Sequence, residues 1–317
     1  MRASKPKPTR SAFVTIGVFD GVHLGHQALL AAARRAARRH GGTPAVVTFR
    51  PPPARVLFPR TPLGEITPWR MKRTMLEAMG IARILPLHFT RVMASMAPEV
   101  FVREILLREF DLAGLIIGYD FRFGARGSGN AALLRRMGRV HGFRVRLLPA
   151  VLFEGMPLSS TRIRAAIAQG AVDRAAAMIG RPFAIRGRVI AGRGLGTRYF
   201  VPTANVLPAR TQLLPAPGVY LTRVRHGGRT WGGVAHVGGA PTLGGPVTAP
   251  IEVHLLGFAG TLLGRCLTVE FLERHRESRR FRGGEQLRRA IGRDVRWAER
   301  AFSGRRENRL ASPFPGC

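Results

Sequence analysis

The spacing of hydrophobic positions changes near residue 183, and the elements it predicts differ on the two sides. Residues 13–18 form a short apolar run bounded by glycine, the pattern of a buried strand. From residue 24 to 39, Leu, Ala and Arg recur at helical spacing, and Gly41-Gly42 stop the helix. Further strands are predicted at 45–49, 84–87, 112–118 and 143–149, and further helices at 69–79, 98–110 and 131–141, the second opened by Pro98. Strands alternating with helices predict a parallel sheet covered on both faces, with ligands beyond the carboxyl ends of the strands.

After Ile179-Gly180-Arg181-Pro182 the helical period is lost. Short Val- and Thr-rich runs at 185–191, 218–224, 230–237, 251–256 and 266–271 alternate with Gly and Pro, which predicts an antiparallel barrel. A helix over 285–302 closes this half. The expectation is therefore α/β plus β: a Rossmann-like domain over 12–182 and a barrel domain over 183–302. Residues 1–11 and 303–317 are expected to be disordered tails.

The chemistry concentrates where the first strand meets the first helix. Thr15 to His26 reads Thr-Ile-Gly-Val-Phe-Asp-Gly-Val-His-Leu-Gly-His. A strand turning tightly into a helix presents free backbone N–H groups and the positive end of the dipole, which suits a nucleotide phosphate. Gly21 and Gly25 allow close approach of backbone and phosphate. His23 and His26, three residues apart on the first turn, face the same way and can donate to phosphate oxygens. Capping or packing is the ordinary role of such histidines, and no third ligand follows at zinc spacing. The strand-to-helix setting favours the phosphate reading.

Three other stretches carry candidate groups. Asp120 and Arg122 follow the 112–118 strand and should share the crevice of the histidines. Ser159-Ser160-Thr161-Arg162-Ile163-Arg164 opens a helix, where serine is ordinarily a cap; here hydroxyls, amides and guanidinium come together as a phosphate cradle. In the second half, Gly192, Gly194 and Gly196 lead into Pro202-Thr203-Ala204-Asn205. Thr203 and Asn205, two apart on an extended segment, project their oxygens to one side as hard ligands suited to Mg²⁺ with a nucleotide. Glu252 lies in an alternating run, on an ordinary polar face or as a base taking the proton from an attacking alcohol.

Composition narrows the setting. The chain has 317 residues, 45% hydrophobic and 22% charged, which fits two globular domains. No apolar run approaches the ~20 residues of a membrane helix. Its two cysteines, Cys266 and Cys317, have no paired spacing, so a reducing cytoplasm is expected. The net charge of +33 raises nucleic acid as a partner, and an arginine-rich nucleic-acid-binding protein on a borrowed fold is the rival class. Against it, only Lys5, Lys7 and Lys72 are lysines, the basic stretches lack interleaved aromatics, and acidic residues interrupt the arginines from 274 to 309, as on a solvated helical face. No specific nucleic-acid partner is expected.

The histidine string resembles the HxGH nucleotidyltransferases, and most closely the first domain of bacterial bifunctional riboflavin kinase/FMN adenylyltransferase (FAD synthetase). Pro202-Thr203-Ala204-Asn205, the glycines before it and Glu252 after it resemble the riboflavin kinase domain of the same family. The chain departs from the family pattern at Val18, at Pro51-Pro52-Pro53, at Asn130, at Tyr199-Phe200-Val201 and at Ala240-Pro241-Thr242-Leu243. The resemblance implies that riboflavin is phosphorylated with ATP to FMN, and that FMN is adenylylated with ATP to FAD and pyrophosphate. It also implies that His23, His26 and Glu252 are catalytic and that Mg²⁺, brought with ATP, is held by Thr203 and Asn205. Phe19, Asp20, Gly21, Gly25, Asp120, Arg122, Ser160, Thr161, Arg164, Gly192, Gly194 and Gly196 are implied as nucleotide- or flavin-binding.

Overall fold

The computed structural model describes residues 11–61, 63–191, 202–238, 251–279, 281 and 284–304. Of the tails expected at 1–11 and 303–317, residues 1–10 and 305–317 lie outside the described residues, as do Gly192, Gly194 and Gly196 and the departures at 199–201 and 240–243, whereas Ser303 ends the last helix. Packing groups the described chain into two units, one of 11–61 with 72–158 and one of 63–71 with everything from 159 onward.

The first unit is built on a five-stranded sheet in the order β3-β2-β1-β4-β5. Its elements in chain order are β1 (Ala12–Ile16), α1 (Leu24–Arg39), β2 (Thr43–Phe49), α2 (Pro53–Leu57), α3 (Trp69–Ala78, in this unit from Lys72), β3 (Arg83–Leu87), α4 (Arg91–Ala94), α5 (Pro98–Phe101), β4 (Leu112–Gly118), α6 (Ala131–His141) and β5 (Arg144–Leu148). All four strand pairings are parallel. Residues of β1 alternate between two apolar layers. Val14 and Ile16 pack with Phe101, Leu106 and Leu134 on one face, and Phe13 packs with Ala32, Ala33 and Ala37 of α1 on the other. Each fully buried Val, Ile, Leu or Phe contributes about 1.5–3 kcal/mol. The central strand is thus fixed from both sides, and its carboxyl end is a rigid base for the loop that follows.

Two details depart from the expected elements. The helix from Pro98 changes after Phe101 into a π turn over Val102–Leu107, one wide turn that no residue pattern signalled. A small hairpin, β6 (Leu152–Phe153) with β7 (Met156–Pro157), lies beyond the sheet. Asn130 caps α6, its Oδ1 accepting from the Leu133 amide at 3.0 Å.

The second unit contains α7 (Ser160–Ala168), α8 (Val172–Ile179), β8 (Phe183–Ile190), β9 (Ala204–Pro208), β10 (Gly218–His226), β11 (Arg229–Val237), β12 (Ile251–Leu255), β13 (Cys266–Glu277) and α9 (Gly284–Ser303). Its strands close into an antiparallel barrel in the order β10-β11-β12-β9-β8-β13. Ala298 of α9 packs on Val219, Leu221 and Val234, covering one side of the wall. The segment 63–71 is stitched in as well. The Glu65 amide donates to the Thr211 carbonyl at 2.7 Å, Leu213 N donates to Glu65 O at 2.9 Å, and Arg164 Nε donates to Gly64 O at 3.1 Å.

The start of the basic run expected on a helix is corrected here. Residues 274–277 are the end of strand β13, where Tyr220 pairs with Arg274 and Val219 with Arg276 across two register shifts. Alternation places charges at this strand end without breaking the barrel. Arg276 and Asp294 form a two-bond ion pair, with N–O distances of 2.9 and 2.6 Å. Deeper in, the buried Glu270 accepts from Nε of both Arg223 and Arg225. Burial lowers the proton affinity of the neighbouring Arg181, to a pKa of about 9, with Glu270 acting in the opposite direction.

Candidate active sites

The loop from Gly17 to His23 joins β1 to α1 under marked backbone constraint. Phe19, Gly21 and Val22 take positive φ values of 52°, 85° and 41°, and Val22 is β-branched, so this conformation persists only where its surroundings enforce it. They do so by burial. Phe19 and Val22 are wholly enclosed, and the Phe19 ring lies 5.1 Å from that of His26. The Val18 carbonyl accepts from Lys72 Nζ at 2.8 Å and from Thr48 Oγ1 at 3.2 Å.

The two histidines are brought together as their spacing implied. Their rings stack with centroids 3.7 Å apart and 23° between planes. Gly25 makes room for them, since a Cβ there would sit 3.2 Å from the His23 ring. His23 occupies the N-cap position with no side-chain cap bond, and the first turn holds no acidic residue, while Arg38 and Arg39 complement the dipole at the far end. This helix start keeps its positive character for an anion. The proton affinity of His26 lies well below the usual histidine range because of burial first, then the charges of His23 and Lys72. Its Nδ1 is buried and meets no hydrogen-bond partner among the described residues. His26 is therefore neutral at pH 7, able to donate one N–H without carrying charge.

Strands β1 and β4 are neighbours, with Thr15 opposite Ile116, so the loops after both leave from the same sheet edge. This brings Asp120 and Arg122, both exposed, to the edge that carries the histidine loop. Asp20 is buried within that loop. In the second unit, Ser160 and Thr161 fill the first turn of α7, behind Ser159, whose hydroxyl accepts from the Arg162 amide at 3.3 Å. Arg164 directs Nε to Gly64 O, which ties α7 to the 63–71 segment.

The second site is a row across three strands. Asn205 of β9 stands directly opposite Glu252 of β12, and Glu252 directly opposite His236 of β11. Directly paired residues in an antiparallel ladder share a face, so three side chains project together, with Thr203 two residues before Asn205 on the same side. His236 Nδ1 is 3.9 Å from Glu252 Oε2, and its Nε2 is 3.1 Å from Ser278 Oγ. The His254 Nδ1–H donates to the Pro202 carbonyl at 2.8 Å, fixing the Pro-Thr-Ala-Asn segment to β12. Glu252 and His236 of this row open on a cleft of about 230 Å³. Thr203, Glu252 and His254 form its polar wall, and Leu287, Ile291 and Val295 of α9 its apolar wall. Burial lowers the proton affinity of His236; Glu252 and Asp294 act against this and Arg276 with it. The residue types fit a hard cation carried with phosphates: neutral oxygens at Thr203 and Asn205, one carboxylate beside them, and room for water.

The sequence reading missed Lys72 and His236. The signal for His236 was the alternation of 230–237, readable once the register to β12 is known. For Lys72 it was rarity, since every other basic residue after position 7, histidines aside, is arginine.

A barrel with a polar row on one face, joined in one chain to a parallel sheet with a histidine-bearing helix start, is the architecture expected of a fused kinase and nucleotidyltransferase. Comparison with known proteins gives the same class. A family profile described as FAD synthetase matches residues 5–162, and one described as riboflavin kinase matches residues 179–302. A bifunctional riboflavin kinase/FMN adenylyltransferase of Pseudomonas fluorescens is 40% identical over 286 residues, 90% of this chain and 91% of its own. Proteins of the same description from Escherichia coli strain K12 and Bacillus subtilis strain 168 are 35% and 32% identical, with 93% of this chain covered in each case and 94% and 93% of theirs. The chain belongs to the bifunctional riboflavin kinase/FMN adenylyltransferase family. A crystal structure described as a macrolide-efflux protein from Streptococcus pneumoniae superposes with a TM-score of 0.83 at 29% identity, covering 94% of this chain and 97% of that one. Among the described residues here, no helix is long and apolar enough to cross a membrane.

Proposed function

We propose that the two reactions of the family run at the two sites described, with phosphorylation of riboflavin in the barrel and adenylylation of FMN at the histidine loop. The pairing of Asn205 with Glu252, with Thr203 on the same face, is the observation that carries this reading. Glu252 takes the proton of the ribityl 5′-hydroxyl as its oxygen attacks the γ-phosphorus of ATP; the bond to the β-phosphate oxygen breaks and ADP leaves. Thr203 and Asn205 would hold Mg²⁺, which when bound neutralises phosphate charge. The apolar wall from α9 suits the flat flavin ring.

At the first site a phosphate oxygen of FMN attacks the α-phosphorus of ATP, and the bond to the β-phosphate breaks to release pyrophosphate. No alcohol needs deprotonation, because the FMN phosphate is already ionised at pH 7. His23 and His26 donate to the phosphate oxygens in a fixed geometry, and the α1 amides add their positive end. The loop of Phe19, Asp20, Gly21 and Gly25 shapes this pocket, and Asp120 and Arg122 line its edge. Ser160, Thr161 and Arg164 hold the pyrophosphate, and Gly192, Gly194 and Gly196 bind nucleotide in the kinase half; motif rather than geometry supports these last two roles. The functional division is at 182/183, and bacterial relatives together with ATP as substrate support a cytoplasmic setting.

Incubating the purified protein with riboflavin and MgATP, then separating the flavins chromatographically, tests the whole reading. FMN should rise first and FAD follow. If supplied FMN is never converted to FAD, the first assignment fails; if riboflavin is never phosphorylated, the second does.

A further inference from the structure

Lys72 is the single lysine among the described residues, and it is buried, with 2% of its surface exposed. A buried ammonium loses its hydration and persists only where fixed dipoles replace the water. Here one replacement is the Val18 carbonyl at 2.8 Å, which also accepts from Thr48 Oγ1. Val18 stands immediately before the run in which Phe19, Gly21 and Val22 adopt positive φ. A bond to that carbonyl therefore holds the loop at the entry to its constrained stretch, five residues before His23. The Phe19 ring, whose place the same stretch sets, backs His26.

We propose that Lys72 is a positioning residue for adenylyl transfer. Its ammonium anchors the Gly17–His23 loop through the Val18 carbonyl, and so sets the stacked His23/His26 pair in the arrangement that receives the nucleotide phosphates. Arginine does not substitute simply: its planar, branched head carries its donors in a fixed fork, whereas a lysine ammonium is a compact charge on a slender stem. This accounts for a lysine in a chain that uses arginine almost everywhere else. The fixed charge acts on His26 too. After burial, the largest cause, the charges of His23 and Lys72 disfavour the imidazolium further, so Lys72 helps to keep His26 a neutral donor.

The inference rests on the reading of the histidine loop as the adenylyl-transfer site, and its test separates the two. In Lys72→Met, which keeps length and removes the charge and donor, kcat for FAD formation from supplied FMN and MgATP should fall about 10²-fold. Riboflavin phosphorylation, which the barrel performs, should hold its parent rate and report that the barrel unit is folded, while dispersed histidine resonances report the same for the first unit. By NMR on labelled histidine, His26 should titrate at higher pH in the variant. Lys72→Gln, which keeps a donor but no charge, serves if Lys72→Met does not fold; it should recover part of kcat and still show the raised His26 titration. Unchanged kcat, or an unmoved His26 titration in either variant, overturns the inference. His26→Ala run beside them checks the underlying site. If it leaves FAD formation intact, the site reading has failed; if it abolishes FAD formation while Lys72→Met does not, only the role of Lys72 has failed.

Discussion

The two sites solve charge problems in opposite ways. At the histidine loop the working groups are enclosed: Phe19 and Val22 wholly, His23 nearly so, the backbone constrained and the imidazoles stacked. In the barrel the row of Asn205, Glu252 and His236 sits on ordinary extended backbone, and the Glu252 side chain is half exposed. Enclosure suits a site that only stabilises charge, because fixed donors in a dry setting act more strongly on phosphate oxygens than they would in water. Exposure suits a group that must take a proton and release it to solvent each turnover. Under the proposed assignments, burial alone does not mark a catalytic group; the direction of proton traffic decides.

The largest expected effect breaks the comparison on the barrel side. Glu252→Gln keeps size and hydrogen bonding but accepts no proton at neutral pH, so FMN formation should fall about 10²–10⁴-fold while FAD formation from supplied FMN continues. Loss of both activities in a folded variant would collapse two sites into one. Next, His26→Ala should lower the adenylyl transfer by about 2–4 kcal/mol of transition-state stabilisation and leave riboflavin phosphorylation near the parent rate. Equal loss in both assays would make His26 structural.

Acid sharpens the contrast further. His26 binds its proton less readily in the fold than in the unfolded chain, so the unfolded state takes up protons first as pH falls below about 6.5. Stability should therefore drop below that pH, by at most about 1.4 kcal/mol per pH unit for this one group, until the folded-state value is reached. Denaturant melts of the parent and His26→Phe between pH 7 and 5 would show the slope and its loss. The smallest effect belongs to His236→Gln. At pH 7.5 His236 is neutral, and riboflavin phosphorylation should change by less than about 1 kcal/mol.

Much of this contrast was legible in residue order. Leu24–Arg39, Leu112–Gly118 and Ala131–His141 lie where periodicity and stop residues placed them, because glycine punctuation and apolar spacing are local. Thr203, Asn205 and Glu252 could be named from their types, but not His236 as their neighbour, since that depends on β11–β12 register set by the closed barrel. Lys72 was hidden for a similar reason, its use being defined by a carbonyl 54 residues earlier. The stretch Glu273-Arg274-His275-Arg276-Glu277 misled in the other direction. Charge suggested a solvated helix, whereas the ion pair of Arg276 with Asp294 lets it finish a strand.

The stitching of 63–71 into the barrel unit has a consequence in time. Gln212 Nε2 donates to the Glu65 and Ile66 carbonyls, and the first of these lies 147 residues earlier in the chain. At a synthesis rate of about 5–20 residues per second, roughly 7–30 s separate the emergence of the two. Every strand of the parallel sheet has left the ribosome before then, ending at Leu148. Residues 63–71 must therefore wait, as an excursion from a nearly finished sheet, for partners not yet made. A nascent chain halted after residue 158 would still lack those partners, so the order of translation itself makes the second unit the last to be completed.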